Sequence, residues 1–413
     1  MRLRIPYIGR VEGEGAVELE LGGGLKLKVW EPPRFLEGAL RGRGFQEVPD
    51  VVARICGICP VSHMLTAIQA LEAALGFEPP EGVRLLRRLA ALSQVASSHL
   101  VHLALLALPD YEAVESFQEL LPRRQGLLQA VLRLKGTLND LTALLAGGRA
   151  LHPVGLVVGG FSRAPKPQEL ERMQVRLKRA QRDAGLLWRL FRALRVPELS
   201  LRSIPLSLAA PQEYAVNGGA LCLGGRLHPA GHYRRLLVEE ELSHSFAKRT
   251  VLRGSGEVVM VGALARLRNQ HGMLPRPFRG WAQGLLREAG QNPFYNLQAQ
   301  ALELYWAVRE CRRLLGAFKV GGGLYFRLRG RAGEGLALTE APRGLLMHRY
   351  VLNQKGLVEE AEVVTPTAHN VAALEAALKA LLSRHARAGR QGLLRLSGML
   401  VRAFDPCFSC SVH

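Results

Sequence analysis

Two strings at opposite ends of the chain decide how the rest is read: Arg54-Ile-Cys56-Gly-Ile-Cys59-Pro-Val-Ser-His63 and Asp405-Pro-Cys407-Phe-Ser-Cys410-Ser-Val-His413. Each is a Cys-x-x-Cys followed by a histidine, four residues on in the first and three in the second. A Cys-x-x-Cys holds two sulfurs facing one point. Two such pairs meeting in the fold present four thiolates, the number that a tetrahedral zinc or an iron–sulfur cluster takes. This usage points to metal or redox chemistry and not to a disulfide framework. A zinc knuckle leaves about 15–20 residues between its pairs. Here hundreds intervene, which excludes a small self-folding zinc module and leaves zinc itself open. The other two cysteines, Cys222 and Cys311, stand alone and read as buried small hydrophobes.

Working outward from the first string, residues 1–31 alternate on either side of Gly22-Gly23-Gly24, the period-two signature of a β-hairpin. Long Leu/Ala-rich runs at 62–76, 83–108 and 112–146 predict helices, with Pro109 separating the second from the third and Pro122 breaking the third. An ordered Gly/Pro-rich loop spans 147–167. Helical periodicity returns at 168–193, 292–317 and 370–386. Residues 198–265 read as mixed, with a helical run around 233–247, and 335–365 as two strands about a turn at Asn353–Gly356. The fold class is mainly α with small β-sheets (α+β), a long central helix bundle with an N-terminal hairpin. Both Cys-x-x-Cys pairs fall in non-helical segments beside it. The chain is expected to form a single large domain, 1–413, with a β region at 1–50, a helical body at 51–195, a mixed α/β part at 196–365 and C-terminal helices at 366–413.

Composition bounds the function classes. Of 413 residues, 48% are hydrophobic and 22% charged, which excludes collagen-like and disordered chains. No uninterrupted apolar run reaches the roughly 20 residues of a membrane-spanning helix. The N-terminus lacks an export signal, so the cytoplasm is the expected compartment. Lys+Arg outnumber Asp+Glu by 55 to 35. Yet the arginines (Arg84, Arg87, Arg88, Arg123, Arg124, Arg176, Arg179) are scattered and lack interleaved aromatics or a recognised module, so no nucleic acid is expected. A solvated helical surface, an acidic protein partner or compositional bias accounts for the excess.

With their flanks, the two cysteine strings resemble the paired signatures of the large, catalytic subunit of nickel–iron hydrogenases. Further segments extend the resemblance end to end: Arg10-Val-Glu12-Gly13, Glu37-Gly-Ala-Leu-Arg-Gly-Arg43, Glu340-Ala-Pro342-Arg343-Gly344 and Thr365-Pro-Thr367-Ala-His-Asn370. The resemblance implies that Cys56 and Cys407 are terminal thiolates on nickel. Cys59 and Cys410 would bridge to an iron carrying CO and two cyanides, and soft thiolates suit that pair. His63 would donate a hydrogen bond to a bridging sulfur. Arg343 would lie over the metals as fixed cationic donor, oriented by Asp405. Thr367 matches the hydroxyl that bonds a cyanide, and Pro342 and Leu346 the dry wall around CO. Glu12 would be the first proton relay, since heterolytic cleavage of hydrogen needs a carboxylate near a sulfur. Glu37, the backbone carbonyl of Val371 and His413 match the ligands of a buried Mg²⁺ (or Fe²⁺).

Two positions depart from the family pattern: Glu14 stands where His is common, and Ser98, before His99, where an acid is common. The second departure takes one carboxylate partner from the arginine. His99 and His102 are expected to be structural. Strings such as Glu31-Pro-Pro-Arg34-Phe and Val363-Val-Thr-Pro-Thr-Ala-His-Asn370 resemble the cytoplasmic, bidirectional branch, with NAD(P)-linked and sulfhydrogenase-type members most similar. The chain has no Gly-rich dinucleotide fingerprint and no iron–sulfur spacing beyond these cysteines. Its partners are therefore expected to be a small subunit with Fe–S clusters and flavin/NAD(P) reductase subunits, with a maturation endopeptidase and nickel-insertion proteins during assembly. The alternatives within the resemblance are a hydrogen-sensing hydrogenase and the non-catalytic relative found in quinone reductases, which lacks the metal cysteines.

Overall fold

The computed structural model describes residues 2–20, 24–120, 122–147, 150–318 and 323–412. The N-terminal alternation forms β2 (Gly15–Glu20) and β3 (Gly24–Val29), and β1 (Arg2–Ile5) adds a third antiparallel strand beside β2. The hairpin expected about Gly22–Gly24 is therefore part of a three-stranded sheet; its turn residues 21–23 lie outside the described residues. Val17, Leu25, Leu27 and Val29 are buried on one face. On the other face Lys28 meets Glu18 at 2.7 Å.

The body is a set of long helices: α1 (Pro60–Ala74), α2 (Glu81–Val101), α3 (Gln125–Ala146), α4 (Pro167–Arg192), α5 (Asn296–Ala317), α6 (Pro366–Arg384) and α7 (Gly389–Ala403). α5 packs between α2 and α4, and α3 covers both of those neighbours. Helix α1 begins where Pro60, whose fixed φ and missing N–H suit a first helical turn, follows Cys59. It is buried along most of its length against a sheet of three antiparallel strands, β4 (Gly333–Ala341), β5 (Gly344–Leu352) and β6 (Val358–Val364). The approach is very close: a Cβ on Gly335 would sit 2.0 Å from the Ala70 carbonyl oxygen. Only glycine fits there.

Several expectations need correction. The described residues of 112–124 are not helical apart from one 3₁₀ turn, Phe117–Leu120; Pro122 removes a donor and its ring clashes with a preceding helical turn. Pro109 does not end its helical run. A π-type turn, His102–Ala107, leads into the short helix Leu108–Tyr111, in whose first turn the missing N–H of Pro109 is tolerated. Only Tyr233–Leu236 is helical in the run around 233–247; the rest forms two antiparallel strands, Leu237–Leu242 and Ser245–Leu252. Cross-strand pairs such as Arg249 with Glu240, at 2.7 Å, favour that pairing. Residues 335–365 hold three strands and not two, because Ala341 pairs with Gly344 across a two-residue turn, Pro342–Arg343, that the pattern hid. The amphipathic helix Phe278–Ala289 is additional to the expected elements.

The segment Glu81–Tyr111 is, by length and composition alone, apolar enough to cross a membrane although charged residues interrupt it, and 83% of its most apolar window is buried inside the protein. It is packed as a core helix and carries Arg87, which forms a fully internal bidentate pair with Glu72 (2.6 and 2.7 Å). That arginine does not belong to a solvated face. Cys222 and Cys311 are buried, as read from the sequence.

Candidate metal centre

The two cysteine strings meet although 351 positions separate Cys56 from Cys407. Cys56 follows the turn Ala53–Ile55 in extended conformation, and the backbone N–H groups of Ile58 and Cys59 point at its Sγ (3.3 and 3.4 Å). Cys407 donates its N–H to Thr367 Oγ1 at 2.9 Å, and Phe408 donates to the Glu12 carbonyl at 2.8 Å. Cys410 lies in a 3₁₀ turn, Ser409–Val412, so the second pair is not wholly outside helical structure. Gly13, at φ +84°, allows the N-terminal segment to pass the second string, since a Cβ there would lie 2.5 Å from Ser409 N.

Arg34 joins the two strings: its Nη2 donates to the carbonyls of both Ile55 and Ser409 at 2.7 Å, and its Nη1 to that of Arg54 at 3.1 Å. In the sequence this residue stands out only as part of a string. Its signal, an arginine after two prolines, does not announce carbonyl partners so far apart in sequence.

All four sulfurs are buried and none is in a disulfide. Cys56 and Cys407 lie 3.6 Å apart, Cys59 and Cys410 3.7 Å. A metal about 2.3 Å from each sulfur in tetrahedral geometry would hold the sulfurs about 3.8 Å apart, so the spacing fits metal ligation and is too long for a covalent bond. Among the described residues there are two groups whose potential ligand atoms lie within 4.8 Å of one another, Cys56–Cys407–Cys410 and Cys59–His63–Cys410. The four sulfurs thus cluster at one point, with the His63 ring beside Cys59 and Cys410. Burial pushes the Cys407 and Cys410 thiols well up, whereas hydrogen bonding from Cys407 pulls Cys56 well down. Four ionised sulfurs here need cations among them.

Arg343 sits at the tip of the β4–β5 turn and is buried. Its Nε donates to the carbonyl and Oδ1 of Asp405 (2.9 and 3.1 Å), and Nη2 meets the same Oδ1 at 3.1 Å. Its Nη1 is a buried donor with no partner among the described residues. The cysteines act electrostatically on the Arg343 guanidinium, which therefore lies near them. Asp405, at φ +51°, also accepts from Gln300 Nε2 (2.9 Å), and Gln300 Oε1 meets His102 Nδ1 at 2.5 Å. Pro342, Leu346 and Thr367 are buried. Glu12 is half-buried; a Cβ on Gly57 would lie 3.9 Å from its Oε1. Burial raises its carboxyl above the ordinary value, Cys56 adds to the rise and Arg343 opposes it.

His63 Nδ1 lies 3.2 Å from His348 Nε2, and His348 Nδ1 lies 2.7 Å from the Tyr350 hydroxyl. Glu37 is half-buried and its Oε1 accepts the Val363 N–H at 2.7 Å. Val371 is buried on α6, and His413 lies outside the described residues.

Behind the arginine turn is a cluster that sequence reading missed. Arg266 donates to the carbonyls of Ala341 and Pro342 (3.1 and 3.0 Å), forks onto Glu303 (2.8 and 2.7 Å) and reaches Glu340 at 3.0 Å. Glu303 also bonds Tyr214 and, at 2.9 Å, His99. Although burial opposes it, Arg266 holds the Glu303 carboxyl well below its ordinary value. Burial pushes Glu340 up to about 7 against the pull of the same arginine. His99 is thus paired inside the core, in keeping with a structural role. The available signal was a charged residue within an apolar helical run, Ala301-Leu-Glu303-Leu.

These features agree with what the chain is similar to. A family model described as nickel-dependent hydrogenase matches residues 34–129 and 327–413. The sulfhydrogenase 1 alpha subunit of Pyrococcus furiosus is 33% identical over 425 aligned positions, which span 100% of this chain and 97% of that one. The F420-non-reducing hydrogenase of Methanothermobacter marburgensis has a chain that is 28% identical, the match spanning 100% of this chain and 95% of that one. A solved NAD+-reducing NiFe hydrogenase in the H2-reduced state superposes with a TM-score of 0.92 at 25% identity, covering 100% of this chain and 99% of that one. The NiFeSe hydrogenase of Desulfomicrobium baculatum shares the fold at a TM-score of 0.80 and 21% identity. The chain belongs to the nickel-dependent hydrogenase family and is the catalytic large subunit of a nickel–iron hydrogenase.

Proposed function

We propose that this subunit cleaves and forms H2 reversibly at a Ni–Fe(CN)2(CO) centre held by Cys56, Cys59, Cys407 and Cys410. Electrons would leave through a small Fe–S subunit towards NAD(P). The observation that carries the reading is the cluster of four buried, unbridged cysteine sulfurs from both ends of the chain, beside a guanidinium donor without a partner among the described residues. A lone structural zinc would have no use for Arg343 Nη1. When bound, the centre supplies a redox-active, Lewis-acidic pair of metals that polarises H2 towards heterolytic cleavage.

The protein's own groups have distinct tasks. Cys56 and Cys407 would be terminal ligands, and Cys59 and Cys410 bridging ones. The Arg343 guanidinium, oriented by Asp405, offsets the negative charge of thiolates and cyanides and offers Nη1 to a diatomic ligand. The Thr367 hydroxyl accepts from Cys407 N and keeps its own O–H to donate to a cyanide. Pro342 and Leu346 exclude water from the CO side. Glu12, with its carboxyl raised above the ordinary value, accepts a proton from the sulfur side and passes it outward. His63 donates to a bridging sulfur. Glu37, the Val371 carbonyl and His413 would hold Mg²⁺ (or Fe²⁺) at a second site.

The similarity to a solved NAD+-reducing hydrogenase supports NAD(P) coupling. The same reading has flavin-bearing partner subunits, a cytoplasmic location, and maturation by an endopeptidase and nickel-insertion proteins. The test is elemental analysis of matured enzyme with infrared detection of CO and cyanide bands. Nickel and iron with those bands are expected; one zinc and no nickel in active protein would overturn the reading.

A further inference from the structure

We propose that Tyr350, acting through His348, is a positioning residue that sets the tautomer of His63, so that this imidazole presents an N–H to the cysteine sulfurs beside it. The inference rests on the proposed role of His63 towards a bridging sulfur and adds the device that enforces it.

His348 and Tyr350 stand two residues apart on β5, hence on one face of the strand, and that strand packs against α1, which carries His63. All three side chains are buried; His348 and Tyr350 have no exposure at all. The chain of contacts is continuous: Tyr350 hydroxyl to His348 Nδ1 at 2.7 Å, His348 Nε2 to His63 Nδ1 at 3.2 Å. One nitrogen of His63 lies within 4.8 Å of the sulfurs of Cys59 and Cys410. With Nδ1 engaged by His348, Nε2 on the opposite side of the ring is the nitrogen for that task.

The proton order follows from the end of the chain. Among the described residues the Tyr350 hydroxyl has one hydrogen-bond partner, His348 Nδ1. If it only accepted there, its own buried proton would go unbonded, at a cost of about 1–3 kcal/mol. It therefore donates. Burial and the nearby Glu37 carboxylate push the phenol well above its ordinary value, so it remains a donor. A ring nitrogen that accepts bears no hydrogen, so neutral His348 carries its proton on Nε2 and donates it to His63 Nδ1. His63 then carries its own proton on Nε2. A phenol, which donates one proton, fixes two imidazoles in series. Phenylalanine would fill nearly the same volume and fix neither.

Neutron diffraction from deuterated crystals of the assembled enzyme reads this order directly. Deuterium is expected on the Tyr350 oxygen, on His348 Nε2 and on His63 Nε2; deuterium on His348 Nδ1 overturns the proposal. The second measurement is the infrared spectrum of Tyr350→Phe. A sulfur that loses an N–H donor gives more electron density to the metals, and the CO stretch falls. A second set of bands at lower wavenumber is expected, from molecules in which His63 has the other tautomer. A single, unshifted set overturns the proposal. Should the variant fail to assemble, the neutron map of the parent decides alone. A parent without any CO or cyanide band would strike at the proposed metal centre, while the neutron map would still decide the tautomer order.

Discussion

Replacing Arg343 by Lys keeps the charge and removes the fork. In the parent, Nε and Nη2 make three contacts with Asp405, at 2.9, 3.1 and 3.1 Å, while Nη1 is a buried donor without a partner among the described residues, on a guanidinium that feels the cysteines electrostatically. A lysine has one nitrogen. It can pair with Asp405 or serve the position of Nη1, but it cannot do both from one rotamer. A hydrogen bond to a charged group is worth about 1.5–3 kcal/mol, so loss of the donor over the reacting site should lower turnover by about 10- to 150-fold. The assay is H2-dependent dye reduction normalised to nickel content, with the CO and cyanide bands recorded on the same sample. Metals should be retained, because the cysteines are unchanged and the charge survives. Arg343→Met should behave differently. It leaves Asp405 buried without its cation, which costs about 3–5 kcal/mol, and the protein should assemble poorly. Parental turnover per nickel in Arg343→Lys would refute the reasoning, since charge alone would then suffice.

Cys410→Ser should lose nickel and iron together, because that sulfur is proposed to bridge the two metals; elemental analysis showing the parental content of either metal would contradict the shared ligand. Glu12→Gln should retain the metals and lose H2/D2 isotope exchange, since the amide keeps the shape but carries no transferable proton; exchange at the parental rate would remove Glu12 from the proton route. Arg266→Met should destabilise the subunit by about 3–5 kcal/mol by leaving Glu303 and Glu340 buried without their cation. The pH dependence has a definite sign. In the parent the folded Glu303 carboxyl lies below its unfolded value, so its contribution is present at neutral pH and lost as pH falls through the depressed value. In the variant the Arg266 pull is gone and burial raises that carboxyl against the smaller pull of His99, so the deficit seen in thermal melts should shrink from about pH 7 to about pH 5; a pH-independent deficit would contradict the clamp. Gly335→Ala should cost about 1–3 kcal/mol through overpacking against α1, measurable as a lower melting temperature, because its Cβ would meet the Ala70 carbonyl oxygen at 2.0 Å.

The cysteine strings were legible in the sequence because metal ligation is written as short-range spacing. Cys56-x-x-Cys59 and Cys407-x-x-Cys410 each hold half a site, and their flanking residues carry the family. The mainly helical body was legible for a similar reason: Leu/Ala periodicity in α2, α4 and α5 is a local property. The turn that presents Arg343 was not, since Ala341 and Gly344 pair only after β4 and β5 have been brought together against α1. The strands within 237–252 likewise won over helical periodicity through their mutual pairing. The sequence by itself determined which chemistry the protein carries: four thiolates, an arginine and a carboxylate in recognisable strings. Only the tertiary structure decided which buried polar group serves which. Arg34 tying Ile55 to Ser409, Arg266 holding the turn before Arg343, and Tyr350 reaching His348 each depend on partners that folding must bring together. A buried donor or acceptor must find a partner or forfeit its hydration, and packing across the whole chain determines which partners come within reach.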